Sequence, residues 1–154
     1  MNIRQANKND LDEILNLFTE TISEVNNQDY SPSQIEAWSS GARDIDRWLQ
    51  KNDEQYFLVT EEEGGITGFA SITNEGYLDT MFVHKNHQRK GIAKALIAAL
   101  IDYASKKQVQ EITTEGSITA RPFFEKYGFR VVKKQKVNRK GIEIVNFRMV
   151  KPLH

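Results

Sequence analysis

The chain has 154 residues, no cysteine, and Lys plus Arg equal to Asp plus Glu at 21 each, for a formal net charge of zero. A chain of this length is read as one domain that buries roughly 68–70% of its unfolded surface, and its neutral balance recommends neither nucleic acid nor an anionic membrane as partner. Without cysteine there is no disulfide framework, thiol nucleophile or thiolate metal site; with no signal-peptide pattern and no run near the ~18 apolar residues of a membrane span, the protein is expected to be soluble and cytoplasmic.

Ile3 and Ala6 open the chain in a short alternating strand pattern. Asn9 or Asp10 then caps a helix whose apolar face carries Leu11, Ile14, Leu15, Phe18, Ile22 and Val25 at helical spacing. Ser31 followed by Pro32 predicts a second, short helix, and Ile45, Trp48 and Leu49 a third. From Gln55 the character changes to β-branched and aromatic runs, QYFLVTEE, ITGFASIT and GYLDTMFVH, separated by turn residues, which predict three antiparallel strands in series. Gly91 to Lys107 reads as a heavily buried helix, with Lys94 and Asp102 on a narrow polar stripe. EITTEGS is a further strand, TARPFFEKYGF a helix ended by Gly128, and VVKKQKV with IEIVNFRMV a hairpin turning at NRKG. The order β, α, α, three strands, α, β, α, β, β is that of a mixed α/β domain without repeats.

One stretch carries chemistry: HQRKGIAKALIAAL, His87 to Leu100. A strand leads through basic residues into a helix, so the first turn offers unpaired backbone N–H groups and the positive end of the helix dipole. Gly91 permits close approach of a phosphate, and Arg89, Lys90 and Lys94 add charge for more than one. A strand-to-helix turn with solvated bases fits the same residues. The stretch matches neither the Walker pattern nor GxGxxG, which leaves a pyrophosphate ligand of another kind.

MFVHKNHQRKGIAKAL resembles the acetyl-CoA motif of the GNAT N-acetyltransferases, an apolar strand ending in Val followed by Gln/Arg-x-x-Gly-x-Gly/Ala, here Val83, Gln88, Gly91 and Ala93. The likeness extends over nearly the whole chain. IRQANKNDLDEILNLF is similar to the family's first strand and helix, ITGFASI to its central hairpin, and TARPFFEKYGFRVV to its second CoA-side helix and strand. Tyr30, Ser31, Pro32 and Trp38 resemble a segment of small, stand-alone bacterial-type members. The resemblance implies one N-acetyltransferase domain over residues 1–154, with a mixed, mostly antiparallel sheet flanked by helices.

It also implies roles. The amides of Arg89, Lys90, Gly91, Ile92, Ala93 and Lys94 would cradle the CoA diphosphate beside Gln88, while the pantetheine arm would pair with Met81, Phe82 and Val83 like an added strand. The N–H of Met81 matches the donor to the thioester carbonyl, and the acceptor amine attacks directly, without a covalent enzyme intermediate. Asp79, two residues before Met81, is the first candidate base and Glu115 the second; either also suits a carboxylate that orients the amine or a water. Phe124 stands where relatives often have a Tyr as acid, and counts among the CoA contacts. Tyr127, three residues on, is the candidate acid or a packed aromatic. Ser117 fits a CoA contact or a helix cap.

On the acceptor side Tyr30, Trp38, Glu24 and Asp29 are candidates, the aromatics for flanking a cation. Trp38 with Ile35 at helical spacing also suits core, and Trp48 more so. His84 and His87 form an HxxH spacing without a third ligand, so no metal is expected. The bases near the last hairpin read as a solvated face. The expected function is acetyl transfer from acetyl-CoA to a primary amine of a small molecule or peptide, by a protein that the resemblance allows to be a homodimer. The alternative is a non-catalytic CoA sensor that kept the cradle and lost the acid.

Overall fold

A computed structural model describes residues 1–154. Strand β1 (Asn2–Gln5) leads through a 3-10 turn into α1 (Leu11–Glu24). Of the two predicted caps, Asp10 stands at the N-cap of α1 but makes no side-chain cap bond there; the capping box belongs to the turn before it, where Asn7 Oδ1 accepts from Asn9 N and Asp10 accepts from Asn7 N. Three helices fill the early segment, the third being the one expected at Ile45, Trp48 and Leu49; α2 (Pro32–Ser39) and α3 (Ile45–Glu54) each have their own N-cap, Ser31 and Asp44.

The strands are β2 (Tyr56–Glu62), β3 (Gly65–Ile72), β4 (Tyr77–Val83), β5 (Glu111–Ser117), β6 (Arg130–Arg139) and β7 (Ile142–Pro152), with α4 (Ile92–Lys106) before β5 and α5 (Arg121–Lys126) after it. They form one seven-stranded sheet in the order β1-β2-β3-β4-β5-β7-β6. Every neighbouring pair is antiparallel except β4 with β5.

Alternation along β2 sends Phe57 and Val59 to one face with Ile14, Phe18 and Trp48, and Leu58 to the other with Leu96, Leu100 and Ile112. Both faces of the central strands are therefore covered, which is why they read as continuous apolar runs. A Cβ at Gly68 would lie 2.8 Å from Ile92 Cγ2; glycine there lets β3 and α4 pack closely. The expectation that α4 is heavily buried is corrected. Ile92, Leu96, Ile97, Leu100 and Ala104 are buried, while Ala98 is exposed, since alanines on the outer face make the helix look apolar without placing it in the core.

The join between β4 and β5 is short. They pair only at Tyr77 with Thr113 and Leu78 with Thr114, and from there the strands diverge. The sheet is two antiparallel halves hinged on a two-residue parallel link, with a wedge-shaped gap below it.

Candidate functional site

The loop from Val83 to Ile92 forms one end of the gap. His84 N–H donates to Thr67 O at 2.8 Å, which ends the β3–β4 ladder. Gln88 Nε2 turns back to Val83 O at 2.6 Å and His84 O at 3.4 Å, closing the loop on the strand. Arg89 (φ 60°) and Gly91 (φ 83°) are both left-handed, and Gly91 caps α4 without a side chain. Ala95 N–H is the first to find a helical partner, at Gly91 O, so the N–H groups of Ile92, Ala93 and Lys94 are left pointing out of the helix end. A Cβ built on Gly91 meets nothing within 4 Å. The loop is an open concavity ringed by backbone donors, with Arg89, Lys90 and Lys94 exposed beside it; this donor set suits a diphosphate.

From the loop a cleft of about 1080 Å³ runs through the gap to the far side of the sheet. Its wall at β4 is backbone. Since His84 bonds to β3, alternation turns the N–H and C=O of Phe82 toward β3 and those of Met81 and Val83 into the gap. Val83 O is taken by Gln88 and by Thr21 Oγ1 at 3.1 Å. Met81 is left as an open backbone edge to which an extended ligand can add.

Asp79 lies where the β3–β4 register shifts: Ser71 pairs with Thr80 and Ile72 with Leu78. The carboxylate of this first candidate base is in an ion pair. Lys51 Nζ and Gln55 Nε2 both donate to its Oδ2, and the Lys51 and Asp79 side chains are only 13% and 15% exposed. The carboxylate is thus committed to an ion pair in a largely enclosed site.

Glu115 is in no ion pair, and its Oε1 accepts from Tyr77 Oη at 3.1 Å and its Oε2 from Gln135 Nε2 at 3.0 Å. Burial first, and then the charges of Glu115 and Asp79, push the Tyr77 phenol above its ordinary range, so Tyr77 stays a donor.

Other expected residues divide. Tyr127 lines the cleft, its ring 4.8 Å from Phe123. Phe124 is buried and packs on Phe129 at 5.1 Å. Ser117 lines the cleft, and its Oγ accepts from Ala120 N at 3.0 Å, closing the turn before α5, whose own N-cap is Ala120. Trp38 lines the cleft, edge-on to Tyr30 at 5.4 Å. Tyr30 borders the cleft, but its hydroxyl is spent: it donates to Val145 O at 2.7 Å and accepts from Ile118 N at 2.9 Å, tying the segment before α2 to β7 and to the residue after β5. Glu24 and Asp29, expected on the acceptor side, have other partners. Glu24 pairs with Lys85 at 2.7 Å and Asp29 accepts from Thr119 Oγ1 at 2.8 Å, and neither lines the cleft. His84 and His87 stack edge-on at 5.1 Å, and no cluster of three His, Asp or Glu forms. No helix is long and apolar enough to cross a membrane.

Sequence reasoning missed Lys51, Tyr77, Gln135, Arg139 and Asn146, all on or against the cleft wall. The only sequence signal for any of them was the alternation of the last hairpin, which puts Gln135, Val137 and Arg139 on one face.

With this geometry in view, likenesses to known proteins fall into place. A family model described as an acetyltransferase (GNAT) domain matches residues 26–151. The chain is 37% identical over 153 residues to the N-acetyltransferase YafP of Escherichia coli K12, covering 99% of this chain and 97% of that protein. It superposes on a GCN5-related N-acetyltransferase from Rhodopseudomonas palustris with a TM-score of 0.95 at 27% identity, over 98% of this chain and 94% of the other. The PaiA N-acetyltransferase of Thermoplasma acidophilum, solved with coenzyme A, has the same fold with a TM-score of 0.80 at 20% identity, over 98% of each chain.

Proposed function

Because the chain belongs to the GNAT acetyltransferase family and is an N-acetyltransferase, we propose that it moves an acetyl group from acetyl-CoA to a primary amine of a small molecule or peptide, by direct attack within a ternary complex. The observation that carries this reading is the continuity of the cleft. One end is a ring of backbone donors at Gly91, the middle is the open edge of β4, and the far end is walled by charged side chains.

The amides of residues 89–94 hold the diphosphate, with Arg89, Lys90 and Lys94 adding charge. Met81, Phe82 and Val83 supply the strand edge along which the pantetheine arm lies, and Met81 N–H donates to the thioester carbonyl. A fixed donor of this kind is worth roughly 3–4 kcal/mol to the developing oxyanion. Glu115 is the better proton acceptor for the incoming ammonium, since Lys51 already holds Asp79. Tyr77 and Gln135 orient the Glu115 carboxylate. Tyr127 on the opposite wall, or water, returns a proton to the leaving sulfur. No side chain becomes acylated, so the lack of cysteine is no obstacle.

In this reading residues 1–154 form one cytoplasmic N-acetyltransferase domain, and a homodimer would use the free edge of β6. The sensor alternative leaves the far end of the cleft, with Glu115, Arg139 and Asn146 on its walls, without a task. The test is thiol release from acetyl-CoA across polyamines, amino acids, aminoglycosides and short peptides, with product mass. Acetylated product supports the reading; failure to bind acetyl-CoA overturns it.

A further inference from the structure

The inner face of the β6–β7 hairpin is built in three tiers. Gln135 pairs with Asn146, Val137 with Ile144, and Arg139 with Ile142, and residues two apart on a strand share a face. Asn146, Ile144, Val137 and Arg139 all line the cleft.

The deepest tier is polar. Asn146 is 8% exposed and its Oδ1 has no hydrogen-bond partner, while Gln135 beside it is committed to Glu115. A buried carbonyl oxygen left without a partner is costly unless a ligand satisfies it, and an oxygen acceptor next to a carboxylate suits an ammonium. The middle tier is apolar, with Val137 and Ile144 packed together with Tyr30. The outer tier is Arg139, exposed at the hairpin end. The arginines in ion pairs are Arg4 and Arg121, so the guanidinium of Arg139 is uncompensated. So is that of Arg47, which lines the facing wall one helical turn before Lys51.

We propose that the acceptor is an amine bearing a carboxylate at the far end of a short apolar chain, its ammonium held by Asn146 Oδ1 beside Glu115, its chain by Val137 and Ile144, and its carboxylate by Arg139. This rests on the transferase reading above and names the acceptor class for the same site. Four strand residues separate the Asn146 tier from Arg139, about 13 Å along the backbone at ~3.3 Å per residue, a span the arginine side chain shortens, its charge reaching Tyr77. An α-amino acid, whose two charges sit on one carbon, matches this spacing less well than an amine whose carboxylate lies at the far end of its chain. A guanidinium is matched to a carboxylate by its paired donors.

The experiment measures kcat/KM with acetyl-CoA for ε-aminocaproate, its amide, n-hexylamine and norleucine, alongside acetyl-CoA binding. Expected is a preference of about 10-fold for ε-aminocaproate over its amide and over norleucine, reduced to below about 2-fold in Arg139→Gln. Arg139 lies exposed at a hairpin end, so this variant folds. Asn146→Ala should instead lower kcat/KM for the carboxylate and the amide alike. Equal or better use of the amide or n-hexylamine, preference for norleucine, or an undiminished preference in Arg139→Gln overturns the assignment. So does acetylation of none of the four by a protein that binds acetyl-CoA, which leaves the transferase reading standing; absence of acetyl-CoA binding fails that reading instead.

Discussion

The two ends of the cleft are built differently. In the proposed reading the recognising groups at the donor end are backbone: the first amides of α4, the left-handed turns at Arg89 and Gly91, and the N–H of Met81. At the acceptor end they are side chains drawn from α3, β4, β5, β6 and β7, namely Lys51, Tyr77, Asp79, Glu115, Arg139 and Asn146. Backbone recognition needs only the right fold and one glycine, so it suits a donor that stays the same. Side-chain recognition changes with each substitution, so the acceptor is free to vary while the cradle persists.

The largest effect should come where the two ends meet. Glu115→Gln keeps the shape and the bond from Tyr77 but removes the proton acceptor, and kcat should fall by about 100-fold or more with little change in the KM for acetyl-CoA. A pH–rate profile that keeps its shape in this variant would remove Glu115 from the role. Tyr77 provides the control. Its phenol is raised by burial and by Glu115, so its neutral form stabilises the fold below the ordinary tyrosine range and that contribution is lost only as the pH rises through the higher folded value. Tyr77→Phe should therefore leave the ionisations in the neutral rate profile in place.

At the donor end, Gly91→Glu should raise the Kd for acetyl-CoA by at least ~10-fold, about 1.4 kcal/mol, by placing a side chain and a negative charge in the concavity. Acceptor preference should not move, because no side chain of the far end is touched. Calorimetric titration of the folded variant checks it, and unchanged affinity would move the diphosphate elsewhere.

Legibility in the sequence follows the same division. The donor loop was readable because its signals are local: Val83, Gln88, Gly91 and Ala93 lie within one strand-turn-helix passage, and every strand and helix carried its own period and breakers. The acceptor end was not readable, because its pairings are made by register. Tyr77 meets Glu115 across 38 positions and Lys51 meets Asp79 across 28, and nothing in either neighbourhood announces the other. Tyr30 looked like a recognition aromatic for the same reason: only the fold reveals Val145 O and Ile118 N at its hydroxyl.

A smaller effect separates function from stability at the acceptor end. Asn146 Oδ1 is buried without a partner, so Asn146→Leu, close in shape, should stabilise the unliganded protein by about 1 kcal/mol. That corresponds to roughly 2–4 °C in Tm for a chain of this size, and turnover should fall in the same variant. A fall in both would mean that Asn146 supports the fold rather than the acceptor.

The smallest effect on rate is expected at the residue the sequence favoured most. Asp79→Asn leaves the Lys51 ammonium without its carboxylate in a largely enclosed site, which should lower stability by about 3 kcal/mol, as breaking a buried pair does. Among molecules that remain folded, kcat should drop less than about 3-fold, since Lys51 already engages the Asp79 carboxylate and the proposed mechanism gives the proton to Glu115. Lys51→Met with Asp79→Leu should recover most of the lost stability, because removing both charges together leaves neither uncompensated. Urea unfolding and kcat measured on the same three proteins separate the roles. A large loss of kcat in Asp79→Asn with stability intact would return the base to Asp79 and make Lys51 the group that tunes it.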